Sequence, residues 1–166
     1  SLPFRVLWET AESTGAERYG RGMYIQYLRT SPYPLLANFD VPKSTVSVCK
    51  RDRSNTPLQA LNLLNDPVFL ETAQALALRV LGGPAQDFRG RLAEAYRLSV
   101  GRAPSEAEQQ RLQAYLEKQE TLLEGRSAEI EQLAPVDVPG LARKQVAAWT
   151  GLASVLLNTD EFITRE

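Results

Sequence analysis

Arg51-Asp52-Arg53-Ser54-Asn55-Thr56-Pro57-Leu58-Gln59-Ala60-Leu61-Asn62-Leu63-Leu64-Asn65-Asp66-Pro67-Val68-Phe69 decides the fold class. It holds two helix starts, each a polar cap followed by proline, at Thr56-Pro57 and Asp66-Pro67. A proline in the first turn loses nothing, because the N–H it lacks has no partner inside a helix. Asn55 or Thr56 caps the first helix, and Leu58, Leu61 and Leu64 then follow on one face. Asn65 ends it. Asp66 caps the second helix, along which Phe69, Ala73, Leu76 and Val80 recur at helical spacing until Gly82-Gly83-Pro84 breaks the pattern.

The same grammar continues toward the C-terminus. A third helix is expected over 87–100, with Leu92, Ala95 and Tyr96 inward and Gly101 as its stop. Ser105 with Glu108 three residues on reads as a capping box. It opens a long helix whose stripe is Leu112, Tyr115, Leu116, Gln119, Leu122 and Leu123, with Glu117, Lys118, Glu120 and Glu124 on a solvated outer face. Gly125 interrupts, and a polar segment leads into the loop Pro135-Val136-Asp137-Val138-Pro139-Gly140. The last long helix, 141–157, carries Val146, Trp149, Leu152, Ala153, Leu156 and Leu157; as the most apolar, it belongs at the centre. Leu63-Leu64-Asn65-Asp66 and Phe69 are echoed by Leu156-Leu157-Asn158-Thr159-Asp160 and Phe162. Both read as one joint built twice: asparagine takes a left-handed stop, aspartate caps the next helix and phenylalanine packs back.

The first third is less regular. Arg21 to Leu28 fits either helix or strand, with helix slightly favoured; Ser31-Pro32-Tyr33-Pro34 breaks it, and 35–39 is too short to assign. Thr45-Val46-Ser47-Val48-Cys49 alternates like a strand but has nothing to pair with, so an extended connection is expected. The result is one all-α domain. It has an irregular bundle of about five main helices over 55–166 and an irregular aromatic and basic segment over 1–54 that wraps over one side.

Composition limits the chemistry. At 166 residues and 43% hydrophobic, the chain can bury a real core. Net charge is -1, which gives no overall basic field for nucleic acid. Residues 1–56 carry eight Lys/Arg against five Asp/Glu and the rest eleven against fifteen, an asymmetry that marks either a partner surface or two parts that pack together. There is no histidine and one cysteine, Cys49, so this chain holds no zinc set, no haem-attachment motif and no histidine-dependent triad. No cofactor is expected in it. Cys49 reads as a small buried apolar residue. No segment has the roughly twenty apolar residues of a membrane span. The opening Ser1-Leu2-Pro3-Phe4 lacks a signal-peptide pattern, and its abrupt start reads as a piece of a longer protein.

One strip invites a ligand: Arg51, Arg53, Asn55, Thr56, Gln59 and Asn62. Guanidinium forks bind carboxylate, sulfate or phosphate, a helix start adds free amides, and side-chain amides pair with sugar hydroxyls. A structural reading stands beside it, in which Arg51 and Arg53 pair with Asp40, Asp52 or Asp66, Asn55 and Thr56 cap, and Gln59 bonds a loop. Tyr19, Tyr24, Tyr27, Tyr33 and Phe39 either stack on sugar rings or, as expected, pin the irregular segment by burial. Asp40 with Asp66 offers the two acids a glycosidase needs, although capping and ion pairing explain each singly.

The chain also resembles a known family. The resemblance is carried by Arg21-Gly22-Met23-Tyr24 through Tyr27 to Arg29-Thr30-Ser31-Pro32, by Phe39-Asp40-Val41-Pro42, by Cys49 with Arg51 and Arg53, and by Asn55 to Leu61. Leu64-Asn65-Asp66-Pro67, Gly101-Arg102-Ala103-Pro104 and Leu157-Asn158-Thr159-Asp160-Glu161-Phe162 complete it. Together these look like the C-terminal portion of a domain of unknown function in large planctomycete-type proteins, many with a cytochrome c domain and a second uncharacterised domain upstream. The resemblance runs from Tyr19 to Glu166 and implies an extracytoplasmic setting, a redox-capable neighbour and no established activity. Three functions follow. The leading one is a non-catalytic structural or interaction module that packs against upstream domains of the same polypeptide. The alternatives are a saccharide- or anion-binding module using the strip, for example on an acidic polymer, and part of an enzyme whose site other domains complete.

Overall fold

The structure, a computed structural model, describes residues 19–20, 22–24, 33–42, 47–50 and 54–164. All regular elements among them are helical, in two compact units, 1–56 and 57–166.

The first unit contains a 3-10 turn, Gly22–Tyr24, and the short helix α1, Pro34–Asn38, with Pro34 in its first turn. A Cβ on Gly22 would lie 2.8 Å from Leu36 Cδ2, so a larger residue there would have to displace the tip of the Leu36 side chain. After α1 the chain turns through Asp40, whose φ of 56° is a left-handed conformation that aspartate tolerates better than most residues. Its carboxylate accepts from Ser54 N at 2.7 Å and lies 2.7 and 2.9 Å from Ser54 Oγ, closing a fourteen-residue loop. Two expectations fail here. Cys49 is exposed rather than buried. Tyr19 and Tyr24 stand on the surface, 57% and 73% exposed, whereas Tyr33 and Phe39 are half-buried. Tyr27, residues 25–32 and the start of the 45–49 connection lie outside the described residues.

The second unit is the bundle: α2 Pro57–Asn65, α3 Pro67–Leu81, α4 Phe88–Ser99, α5 Glu106–Leu122, α6 Ser127–Leu133, α7 Arg143–Leu157 and α8 Asp160–Ile163. α7 is central. It packs most extensively on α3, then on α5 and α6, and also touches α4 and α8. Its buried residues include Val146, Trp149, Thr150, Leu152, Ala153, Leu156 and Leu157, and they meet Val80 of α3 and Leu92 of α4 in one core. The Phe88 ring lies 6.0 Å from that of Trp149 at a tilt of 49°, which joins the start of α4 to the middle of α7.

The caps follow the sequence closely. Asp66 accepts from Val68 N at 2.9 Å and Asp87 from Gly90 N at 3.2 Å. Ser105 and Glu108 form the reciprocal box. Gly101 ends α4 with φ +78°, a conformation a side chain would oppose. Along α5, Leu112 and Leu123 are buried but Leu122 is 45% exposed, because successive residues on a helix diverge by about 100°.

The repeated joint is real but works differently from the expectation. Neither asparagine is left-handed: Asp40 is the non-glycine residue with positive φ among the described residues. Instead each amide turns back on its own helix, Asn65 Nδ2 donating to Leu61 O at 2.8 Å and Asn158 Nδ2 to Ser154 O at 3.0 Å. In the second joint Thr159, not Asp160, is the N-cap residue, and Asp160 falls in the first turn.

A helix stands where a polar segment was expected. α6 has few apolar residues, yet Ile130 and Leu133 pack on the core and Ala134 is buried. Gln74 Nε2 of α3 donates to Gln132 O at 2.8 Å, and the buried Thr150 hydroxyl of α7 lies 3.0 Å from Leu133 O. Tertiary bonds, rather than periodicity, hold this helix in place.

Candidate functional site

The strip singled out in the sequence does not share one environment. Arg51 and Arg53 lie outside the described residues; Asn55 is exposed, Thr56 and Asn62 are half-buried, and Gln59 is buried. Gln59 shares the buried face of α2 with Leu63, at 3% and 5% exposure. No buried side-chain nitrogen or oxygen among the described residues lacks a hydrogen-bond partner. The two acids suited to glycoside chemistry have structural partners: Asp40 holds Ser54, and Asp66 caps α3. No three Cys, Asp or Glu side chains among the described residues stand together as a metal-holding group. No helix among those residues is long and apolar enough to cross a membrane.

α2 presents the unusual surface. Leu58, Leu61 and Leu64 lie on its outward face at 51%, 56% and 61% exposure. The spacing i, i+3, i+6 sets them in a row along one side. The helix carries no charged side chain. Single exposed leucines are ordinary, but three in register on an uncharged helix form a contiguous apolar stripe.

The strongest electrostatic cluster centres on Arg102. Its Nη1 and Nη2 donate to Glu108 at 2.9 and 2.7 Å, while Nε and Nη2 donate to Glu161 at 2.7 and 2.8 Å. The guanidinium also lies 5.3 Å from the centre of the Tyr96 ring, within cation–π range. Glu108 is doubly committed, because its Oε2 also accepts from Ser105 N at 2.7 Å. The Arg102 guanidinium, helped by that N–H, holds the Glu108 carboxyl far below the ordinary carboxylate range. Arg102 lowers Glu161 as well. Burial, with Glu108 nearby, raises the Tyr96 phenol. The arrangement spends every donor direction on carboxylates and one carbonyl, Ala103 O at 3.0 Å. Its chemistry is that of a clasp between α4, α5 and α8.

Two open grooves flank this clasp. One, of about 820 Å³, runs between the end of α4 (Leu98, Ser99, Val100) and Asp160, Phe162 and Thr164. The other, of about 480 Å³ and mainly apolar, lies beside Val80, Pro84, Ala93 and Ala103. Nothing in spacing or composition pointed to Arg102 as a hub. The available signal was its adjacency to the Ser105–Glu108 box, which places a guanidinium beside a carboxylate already drawn to the helix start.

A family model described as PSD1, protein of unknown function (DUF1553), matches residues 3–116, more than half of the chain. The chain belongs to this PSD1 family. No match was found among curated proteins or among solved structures. The family match ends inside α5, so α6, α7 and α8 lie beyond it. In this chain the matched helices α3 and α4 nevertheless bury their apolar faces on α7. Of the motifs that carried the resemblance, Gly101-Arg102-Ala103-Pro104 lies inside the match and Leu157-Asn158-Thr159-Asp160-Glu161-Phe162 outside it. The Arg102–Glu161 pair joins them.

Proposed function

We propose that this chain is a non-catalytic interaction module that docks other domains of its own polypeptide through the outward face of α2, in the extracytoplasmic setting the resemblance implies. The observation that carries this reading is the row Leu58, Leu61 and Leu64 on an uncharged helix. Its size favours a tethered partner over a free one. A nine-residue helix is only about 14 Å long. One face of it falls well short of the roughly 800 Å² per partner that stable complexes between separate molecules bury. Covalent linkage raises the effective concentration of a neighbouring domain and makes a small apolar contact sufficient. The lack of charge fits the same picture, because a tethered partner needs no electrostatic steering.

The test is amide hydrogen exchange in the full polypeptide, comparing wild type with a Leu61→Asp/Leu64→Asp variant. Slow exchange over Pro57–Asn65 that accelerates about tenfold in the variant, with α7 unchanged, supports docking. Equal rates overturn it. Retention of the wild-type chain on a sulfated polysaccharide, lost in Arg53→Ala but kept in the leucine variant, would replace it with the saccharide reading.

A further inference from the structure

The Arg102 clasp holds its two carboxylates on unequal terms. Glu108 sits in the first turn of a seventeen-residue helix and is pinned by the Ser105 N–H, while Arg102 lies against Tyr96 of α4. That half is built into the bundle. Glu161 rides on α8, four residues long, with no buried side chain and no side-chain cap. The helix keeps Phe162 N on Thr159 O at 3.0 Å, Ile163 N on Thr159 O at 3.2 Å and Thr164 N on Asp160 O at 2.8 Å. It has little apolar anchorage of its own. The same helix supplies Asp160, Glu161 and Phe162 to one wall of the groove of about 820 Å³, and the end of α4 supplies the other.

We propose that α8 is a hinged latch that forms one wall of this open groove, held in place by the two-point Arg102–Glu161 pair and released at the Asn158–Thr159 joint. When Glu161 leaves, Arg102 keeps Glu108 and Tyr96, so the bundle is undisturbed and only the groove wall moves. Asn158 and Thr159 are suited to the hinge: their side chains bond back to Ser154 O and Leu156 O, which ends α7 firmly on one side of the joint. Local opening of this kind belongs to the least stable elements of a fold, those with little apolar burial and exposed backbone bonds.

Glu161→Gln in the 166-residue chain tests the latch, since it keeps the shape and removes the charge. Exchange of the Phe162, Ile163 and Thr164 amides is expected to speed up about fivefold, the scale of one exposed ion pair. The α4, α5 and α7 amides keep their wild-type rates. Raising the salt to about 0.5 M accelerates the same three amides in wild type but not in Glu161→Gln, because screening acts on the pair alone. Arg102→Lys, which retains charge but not the fork, gives an intermediate rate. Unchanged rates in Glu161→Gln, or equal acceleration throughout α7, would overturn the latch.

Discussion

α2 and α7 are both leucine-rich helices with few charges, yet the protein uses them in opposite ways. Nine of the fifteen residues of α7 are buried. In α2 only Gln59 and Leu63 are, and three leucines face outward. An apolar stripe therefore says that a face is available for burial, not that its partner is present. α7 finds partners in α3, α5 and α6, so its stripe becomes core. The outward row of α2 keeps its apolar surface on display.

The largest expected effect lies on the buried side of this comparison. Trp149→Ala, which opens a cavity beside Phe88, should cost about 3–5 kcal/mol, read from the urea midpoint. A midpoint equal to wild type would put Trp149 outside the core and break the contrast. Thr150→Val should cost less, about 1–2 kcal/mol, by leaving Leu133 O without the hydroxyl. It should also speed amide exchange at Ala134 more than in α3, since α6 depends on that bond.

Arg102→Ala should have a smaller effect, and one that depends on pH. Arg102 depresses the pKa values of Glu108 and Glu161 below the ordinary 4.5. A depressed carboxyl contributes stability that is fully present above its unfolded pKa and is lost as pH falls through the folded one. The difference in melting temperature between wild type and Arg102→Ala should thus be constant above about pH 6 and shrink steadily below about pH 4. A difference that stays constant on acidification would show that the clasp acts through packing on Tyr96 instead. The smallest effect belongs to α2. Leu61→Ala should shift the stability of the chain by less than about 0.5 kcal/mol, and a loss of 2 kcal/mol or more would mean the row is core.

What could be read from the sequence was local. Proline after a polar cap placed α2 and α3 at the right residues, and Ser105 with Glu108 placed α5, because a cap acts within one turn of the chain. The high apolar content of α7 predicted its central place, and its burial runs all the way round, from Val146 through Thr150 without a break. The misses share a cause. α6 has too few apolar residues to announce itself, and it exists through bonds from Gln74 and Thr150, remote in sequence. Gln59 was grouped with the strip because it is polar, yet it is buried, as Leu63 one turn on is. Cys49 was placed inside because thiols usually are, and it lies outside.

The sequence by itself determined where α2, α3, α4 and α5 begin, the all-α class and the absence of histidine chemistry, since caps, turns and composition act over a few residues or over none. Only the tertiary structure decided which apolar faces are covered and which charges meet. Arg102 and Glu161 are fifty-nine residues apart and meet because α7 brings the last helix back across the end of α4. No periodicity encodes that meeting, because it depends on how whole helices pack, and packing is settled by the shape of the shared core around Leu92, Leu152 and Leu156.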